Sequence, residues 1–311
     1  MDVKKELFAV IEIGGTKLQI VTGTSTGNIL STHRFEVIAD EGAEGIQRKI
    51  ESTFKEHYTG TLTAVGIGFG GPVNRITGQI ATSFHVQGWS GFPIKDWLES
   101  IIECPVLVDN DANVAALGEA NLGAGRGFNP VLYITLGSGL GGGLVVDDNI
   151  YHGILPGELE IGHLRMNKSG TIFEALCSGW AVDQKIRDSV RSHPGGLLAQ
   201  ITGSNQKGEA RFLKAAMDAN DSTALRIFDE TTDDLAFGLS HAVHLLHPEV
   251  IVLGGGLSLI GQELRNAVAG KLPGYLMKAF VPAPLVVLAG LKEQAVTVGS
   301  LILASQNQKQ S

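Results

Sequence analysis

The chain has 311 residues, of which 43% are apolar, 18% are charged and 41 are glycine. These proportions are typical of a globular α/β protein and exclude a disordered chain. The formal net charge of −8 and the absence of a dense run of Lys or Arg argue against a nucleic-acid partner. With Cys104 and Cys177 as its two cysteines, the chain is expected in the reducing cytoplasm. The strand-like run that follows MDVKKE is too short for the apolar region of a secretory leader, and no apolar run of about 18 residues occurs, so neither a leader nor a membrane partner is expected.

Apolar, strand-like runs alternate with helical patterns along the chain, which predicts an α/β fold. The polar turn within 105–123 gives Asp111 as the expected N-cap of the helix that follows. The predicted elements in chain order are a strand at 7–13, its return strand at 18–23, a helix over 45–57, strand and glycine turn over 62–73, strand, turn and helix over 105–123, a strand in 131–139, helix over most of 211–247, strand and glycine turn over 250–258, and a helix after Thr297.

A weak internal repeat relates two of these strands. At an offset of 123 residues, FAVIEIGGT at 8–16 aligns with VLYITLGSG at 131–139. In both segments, apolar residues lead to a short polar or glycine turn, after which the chain returns as a strand. The repeat therefore predicts two related α/β lobes, each opening with a hairpin that has glycines at its tip.

The second of these turns is unusually rich in glycine, with five glycines between Gly137 and Gly143. Gly137, Gly139 and Gly142 satisfy the G-x-G-x-x-G pattern, which marks a dinucleotide site only when a helix follows. The residues that follow, GLVVDDNIYHG, have β-branched residues and a turn but no helical period. We therefore predict a hairpin whose bare main-chain N–H groups converge on phosphate oxygens. No P-loop motif is present.

Several motifs together resemble the ROK family of sugar kinases in the actin/hexokinase-like superfamily. The resemblance covers residues 8 to about 302, in the family's order. It implies an α/β fold of two actin/RNase H-like lobes, with mixed sheets flanked by helices and a cleft between them. The implied lobes are 1–120, with a helix at about 297–311 packing back on it, and 121–296. The motifs are IEIGGTK (11–17), GIGFGGPV (66–73), VDNDANVAALGE (108–119), TLGSGLGGG (135–143), GELEIGH (157–163), FEALCSG (173–179) and LGGGLS (253–258).

The resemblance implies that ATP and Mg²⁺ bind at the glycine turns. Glu12 stands where the commoner family pattern has Asp, and its charge suits a water-mediated contact to Mg²⁺. For Lys17, contact with a phosphate and simple solvation are both open. The implied ATP-binding residues are Gly14, Gly15, Thr16 and Lys17 in the first turn, Thr135, Gly137, Ser138 and Gly139 in the second, and Gly255 and Gly256 in the third.

The resemblance also assigns the sugar side of the site. Asp111 matches the family's general base, which takes the proton of the attacking sugar hydroxyl; without the motif, a helix cap with no chemistry would be the simpler interpretation. Carboxylates and an imidazole suit a sugar because they form charge-assisted hydrogen bonds to its hydroxyls. A solvated acidic loop is the alternative interpretation for Glu160. The implied sugar-binding residues are Gly71, Asn110, Asp111, Glu160, His163 and Glu174.

The chain departs from the family pattern at two places. Many members carry three cysteines between the Gly-His pair and the next Glu, and these bind a structural zinc together with the His. Here only Cys177 is present, so a four-ligand zinc site with His163 is not expected. A direct hydrogen bond is the expected substitute for orienting His163. Gln19 stands where many members have Arg, which leaves the choice of sugar open.

The sequence therefore predicts ATP-dependent phosphorylation of a hexose, with glucose and its 6-hydroxyl favoured. The alternatives are a kinase for fructose, mannose or an N-acetylhexosamine, and a non-catalytic sugar sensor or transcriptional regulator. Repressors of this type carry a helix-turn-helix domain before the first hairpin, and only six residues precede Leu7. A homodimer is the assembly that the resemblance suggests.

Overall fold

The computed structural model describes residues 6–58, 62–83, 86–155, 157–203, 205 and 207–306. The buried apolar residues come from strands and from the helices that flank them, as expected for an α/β chain. The strands of this described part are β1 Phe8–Ile13, β2 Lys17–Gly23, β3 Ile29–Glu36, β4 Ala64–Phe69, β5 Val73–Asn74, β6 Gln79–Ile80, β7 Val106–Asn110, β8 Val131–Leu136, β9 Leu140–Val146, β10 Asn149–Ile150, β11 Val250–Gly254 and β12 Leu285–Leu288.

Helices follow the strands in an α/β order along much of the chain. The α-helices are α1 Gly42–His57, α2 Ile94–Ile102, α3 Asp111–Leu122, α4 Glu174–Cys177, α5 Gly179–Ser192, α6 Leu197–Thr202, α7 Leu213–Asp218, α8 Ser222–Leu246, α9 Gln262–Lys271 and α10 Ala295–Gln306. Short 3₁₀ helices are Ala39–Glu41, Ile161–His163, Glu209–Phe212, Gly256–Ile260, Leu272–Tyr275, Lys278–Phe280 and Lys292–Gln294.

The chain divides into two compact units, the first of which comprises 1–127, 143–159 and 293–311. Its sheet has the order β3-β2-β1-β4-β7, in which β1 pairs antiparallel with β2 and parallel with β4. Helix α10 packs against α3 through glycine, because a Cβ at Gly299 would overlap the carbonyl oxygen of Val114. This close approach fixes the helix that begins at Asp111 against the C-terminal helix.

The second unit comprises 128–142 and 160–292. Strands β8, β11 and β12 of the second five-stranded sheet, whose order is β10-β9-β8-β11-β12, lie in this unit, and β11 pairs parallel with both β8 and β12. Both sheets are therefore mixed and flanked by helices, as the α/β prediction requires. The lobe boundaries at residues 120 and 296 stay a prediction; in the structure, 143–159 group with the first unit.

The internal repeat is confirmed at the level of single strands. Strands β1 and β8 begin at Phe8 and Val131, and β2 and β9 begin at Lys17 and Leu140, so both pairs start 123 residues apart. In each unit, the first strand of the hairpin also pairs with a later parallel strand. The glycine cluster at 137–143 forms the turn and the start of β9, which confirms the hairpin and excludes a dinucleotide-type helix there.

Helix ends differ from prediction in ways that local chemistry explains. The predicted helical stretch 211–247 is interrupted after Asp218, since Asp221 caps α8 by accepting from Ala224 N at 2.8 Å. The C-terminal helix begins at Ala295, and its predicted extension over 307–311 lies outside the described residues. Within the described chain, no helix combines the length and apolar character needed to span a membrane.

Candidate active site

The first glycine turn joins β1 to β2 in the first unit. Gly14 N donates to Lys17 O at 2.9 Å, which closes the turn, and Gly14 and Gly15 are only partly buried while Thr16 is exposed. Main-chain N–H groups at a tip with so little side chain can be reached by an anion. The structure therefore brings Gly14, Gly15 and Thr16 together as the sequence predicts, at the end of one buried strand pair.

Lys17 forms an ion pair within the first hairpin, and its contact with a phosphate stays a prediction. Lys17 Nζ lies 2.7 Å from Glu12 Oε1, and Thr297 Oγ1 donates to the other Glu12 oxygen at 3.4 Å. Gln19 is buried beside them, donating to Thr297 Oγ1 at 2.9 Å and accepting from Arg34 Nε at 3.0 Å. The two departures of the first hairpin from the family pattern, Glu12 and Gln19, thus belong to one hydrogen-bonded network under the first turn.

The turn between β7 and α3 corrects the predicted helix cap. Asn110, rather than Asp111, is the N-cap: its Oδ1 accepts from Ala112 N at 2.9 Å and from Asn113 N at 3.3 Å. Asp111 is the first helical residue, and its Oδ1 accepts from Ala112 N at 2.8 Å. Three consecutive polar residues could each have capped this helix. An anion in the first turn is stabilised by the helix dipole, which favours the ionised Asp111 carboxylate.

Asp111 and the first glycine turn both lie close to the position that a side chain on Gly70 would occupy. A Cβ on Gly70 would lie 3.4 Å from Asp111 Oδ2 and 3.7 Å from Gly14 Cα, and Gly70 N donates to Ile13 O at 2.9 Å. Next to it, Gly71 O accepts from Asn110 Nδ2 at 3.1 Å. In the first unit, the Asp111 carboxylate, the Asn110 amide and the first glycine turn therefore all lie next to Gly70 and Gly71.

The second and third glycine turns meet in the second unit. Gly137 O accepts from Gly179 N at 2.8 Å and Ser138 O accepts from Trp180 N at 3.2 Å, which ties the hairpin to the start of α5. Gly255 has φ +80°, and a Cβ there would lie 2.5 Å from Leu136 C. Only glycine fits this approach of the β11 turn to the end of β8.

A cavity of about 510 Å³ opens beside these turns, within the second unit. Its lining includes Gly137, Ser138 and Gly256, and a Cβ on Gly256 would meet no heavy atom within 4 Å. Trp180 is 56% exposed at this cavity. Bare main-chain groups and an exposed indole are suited to phosphates and a nucleobase.

Sequence reasoning missed Trp180 and Asp183 in this cavity. The Asp183 carboxylate is buried and accepts from Gly208 N at 3.1 Å and from Ala210 N at 2.7 Å. It therefore fixes the loop that forms the far wall. No short motif marked Asp183, whose partners lie more than twenty residues away; Trp180, directly after the FEALCSG motif, could have been noticed.

Glu174 contacts the second hairpin directly. Glu174 Oε2 accepts from Leu140 N at 2.8 Å, and a Cβ on Gly139 would lie 2.5 Å from the same oxygen. Gly162 packs so tightly on Leu140 O that a side chain there would overlap it. The 3₁₀ helix after Glu160 therefore lies against the hairpin that Glu174 holds.

His163 and Glu160 are both exposed at this 3₁₀ helix. His163 N donates to Glu160 O at 3.1 Å, so the main chain holds the two residues in one short turn. Among the described residues, none forms the expected orienting hydrogen bond with the His163 ring. An imidazole and a carboxylate that both reach solvent are available to bind a polar ligand.

Cys177 lies in the core of the second unit. Among the residues that the structure describes, no group of three His, Cys, Asp or Glu could hold a metal ion. Cys177 is fully buried and its Sγ donates to Thr231 O at 3.7 Å. Burial raises the pKa of the Cys177 thiol, so the thiolate that zinc requires is disfavoured. A site without zinc stays a prediction.

The ordered motifs correspond to a known family across nearly the whole chain. The model of the ROK family matches residues 8–307. This chain belongs to the ROK family. It is 30% identical to a glucokinase of Thermotoga maritima, over 93% of this chain and 94% of that protein. A glucokinase of Halalkalibacterium halodurans is 31% identical, over 97% and 96% of the two chains.

A solved structure of a ROK family member has the same fold. The ROK family glucokinase of Streptomyces griseus, crystallised in complex with glucose and AMPPNP, is 30% identical to this chain. The match covers 96% of this chain and 99% of that one, with a TM-score of 0.84. The ROK fold therefore extends over all of the turns described above.

Proposed function

We propose that this chain catalyses the ATP-dependent phosphorylation of a hexose, with glucose as the preferred acceptor and its 6-hydroxyl as the attacking group. The observation that carries the proposal is that Asp111 Oδ2 and Gly14 of the first glycine turn both lie within 4 Å of the position of a Cβ on Gly70. Phosphoryl transfer to a hydroxyl needs a base on the acceptor and charge stabilisation at the phosphates. The relatives named glucokinase support glucose over fructose, mannose and N-acetylhexosamines.

In the proposed reaction, Asp111 is the general base. Its carboxylate accepts the proton of the sugar hydroxyl as the hydroxyl oxygen attacks the γ-phosphorus of ATP. The bond from that phosphorus to the bridging oxygen of ADP breaks, and ADP leaves with the electron pair. The Asp111 carboxylate is ionised by preference because it sits in the first turn of α3 and accepts from Ala112 N.

The proposal assigns sugar-binding roles to residues in the first unit and, separately, to residues in the second. Asn110 and Gly71, which are hydrogen-bonded to each other, hold the hydroxyls next to the base. Glu160 and His163 present polar groups to solvent on one short turn, and Glu174 lies beside them at the second hairpin. Charge-assisted hydrogen bonds from carboxylates and imidazole fix the orientation of a ring rich in hydroxyls.

The nucleotide is proposed to bind at the glycine turns, with its base in the cavity near Trp180. The open main chain at Gly137, Ser138 and Gly256 fits phosphate and ribose oxygens, since no side chain blocks it. Mg²⁺ bound to the triphosphate neutralises its charge, and Glu12 is the candidate residue for holding that ion through water. Lys17 would compete with this ion for the Glu12 carboxylate, because Lys17 Nζ lies 2.7 Å from Glu12 Oε1.

We further propose that the protein acts in the cytoplasm as a homodimer. Cytoplasmic ATP and reduced cysteines are compatible with a buried, protonated Cys177. A homodimer is the assembly expected from the family resemblance. Size-exclusion chromatography with light scattering measures the mass directly, and a single species of one chain would contradict the dimer.

Coupled ADP release tests the proposed activity. The purified chain is assayed with ATP, Mg²⁺ and a panel of glucose, mannose, fructose and N-acetylglucosamine, and ³¹P NMR identifies the phosphorylated position. We expect the highest kcat/KM with glucose and a 6-phosphate product. Calorimetric binding of a sugar without ADP release for any hexose would overturn the kinase and support a sensor.

Replacing the base tests the role of Asp111. Asp111→Asn is expected to lower kcat roughly a thousandfold while the hexose KM stays within about tenfold, because proton transfer is lost and binding is largely kept. Asp96→Asn, an equivalent change at an exposed position in α2, is the matched control and should retain full activity. Normal turnover by Asp111→Asn would show that another group is the base.

A further inference from the structure

Two residues before Asp111, a buried carboxylate has each of its oxygens hydrogen-bonded. Asp109 Oδ1 accepts from Asn110 N at 2.8 Å and from Asn113 Nδ2 at 2.8 Å. Asp109 Oδ2 accepts from His152 Nε2 at 2.7 Å. The Asp109 side chain is only 3% exposed. A charge this deeply buried is costly unless hydrogen-bond donors surround it, so each of these contacts is expected to matter.

His152 comes from a distant segment that is also anchored near the sugar side. Its side chain is 18% exposed, and it belongs to the stretch 143–159 that groups with the first unit. Further along this stretch, Glu158 Oε1 accepts from Val73 N at 3.0 Å. The segment is therefore hydrogen-bonded through His152 to Asp109 near the end of β7, and through Glu158 to Val73 at the start of β5.

A hydrogen bond between two proposed sugar-binding residues, Asn110 and Gly71, links these two attachment points. Asn110, whose N–H is held by Asp109, donates from its side chain to Gly71 O, two residues before Val73. Asn110 is also the cap of α3, so the direction of the helix start depends on the same turn. A shift of Asp109 would be transmitted directly through Asn110 to the carboxylate of Asp111.

We infer that Asp109 and His152 form a positioning pair that fixes the Asn110–Asp111 turn and so directs the general base at the sugar hydroxyl. Neither residue needs to touch the substrate. The pair acts because Asp109 Oδ1 accepts from Asn110 N and so holds the turn. The hydrogen bond from His152 to Asp109 Oδ2 prevents rotation of the Asp109 carboxylate. The inference rests on the proposed role of Asp111. Small errors in the placement of a catalytic group reduce the rate far more than they reduce binding.

Substitution of His152 separates positioning from packing. His152→Leu removes the donor, whereas His152→Gln retains an amide donor at the position of Nε2. We expect His152→Leu to lower kcat about 10- to 100-fold with the hexose KM within about threefold, and His152→Gln to recover most of kcat. His57→Leu, at a half-exposed position at the end of α1, is the matched control and should keep wild-type kcat.

Asp109→Asn supplies a second variant that keeps the shape of the side chain and so guards against misfolding of His152→Leu. It is expected to lower kcat without changing the hexose KM. In the double variant Asp109→Asn/His152→Leu, the loss of kcat should be smaller than the product of the two single losses, because both act through one contact. Independent, multiplying losses would overturn the pair, and so would wild-type kcat in either single variant.

The result for Asp111→Asn distinguishes the two proposals. If Asp111→Asn loses activity while His152→Leu keeps wild-type kcat, the positioning inference is wrong and the kinase proposal stands. If Asp111→Asn turns over normally, the base assignment itself is wrong, and the pair has nothing to position. If His152→Leu and His152→Gln raise the hexose KM and lower kcat to the same extent as each other, His152 has a packing role, and the inference is overturned.

Discussion

Glu174 Oε2 accepts a hydrogen bond from the main-chain N–H of Leu140 at 2.8 Å. This contact joins a proposed sugar-binding carboxylate to a proposed phosphate-binding hairpin, 34 residues earlier in the chain. The glycine before Leu140 leaves room for the carboxylate, since a Cβ at Gly139 would lie 2.5 Å from the same oxygen. Sugar and nucleotide binding are therefore expected to depend on each other at this point.

Gly139→Ala should displace Glu174 from the hairpin. We expect kcat/KM to fall about tenfold or more for both ATP and hexose, because a hydrogen bond to a charged group is lost. Steady-state kinetics with each substrate varied in turn measure this. Gly274→Ala, where an added Cβ meets no atom within 4 Å, is the control. A loss confined to one substrate would contradict the shared role.

Trp180→Ala should weaken nucleotide binding alone. The indole is 56% exposed at the cavity beside Gly137, so its removal leaves the core intact. Stacking of a base on an aromatic ring is worth about 1–3 kcal/mol, which corresponds to a rise in ATP KM of roughly tenfold. Leu245→Ala, also highly exposed in the same unit, should leave both KM values unchanged. An unchanged ATP KM in Trp180→Ala would place the base elsewhere.

Gly255→Ala should destabilise the second unit. At φ +80° a side chain is strained, and its Cβ would also lie 2.5 Å from Leu136 C. Together these effects cost about 3 kcal/mol or more, which corresponds to a loss of roughly 6–12 °C in Tm. Gly203→Ala has a similar backbone strain, φ +58°, but no atom within 4 Å. Calorimetry should show the smaller loss for Gly203→Ala; equal losses would mean that the contact with β8 is unimportant.

Cys104 makes the stability of the first unit depend on alkaline pH. Burial, and secondarily the Glu99 carboxylate, raises the pKa of this thiol from 9.0 to about 11. The unfolded chain therefore loses the proton first as pH rises. The contribution of the protonated Cys104 thiol to the free energy of unfolding is fully present below pH 9 and is lost as the pH rises towards 11. Between pH 8 and 10.5, Tm should fall less in Cys104→Ser than in the wild type; parallel curves would contradict the assignment.

The local pattern was sufficient to predict the hairpins but not their long-range partners. The repeat at 8–16 and 131–139 predicted both turns because apolar alternation and glycine are local signals. The predicted N-cap of α3 was wrong by one residue, since the side chains of Asn110 and Asp111 are equally suitable for capping a helix. His152 and Asp183 were missed because their partners lie far away in the chain, where no spacing rule applies. The assignment of roles to Glu160 and His163 stays a prediction.

The glycine contact between α10 and α3 has a consequence for the order of events during synthesis. Helix α3 carries Asp111 at its start, and its close neighbour at Gly299 is translated well after it. A nascent chain that ends before Ala295 lacks the partner against which α3 is seated. Correct seating of the proposed base thus waits for translation of α10, and nascent chains that end before this helix should be inert towards sugar.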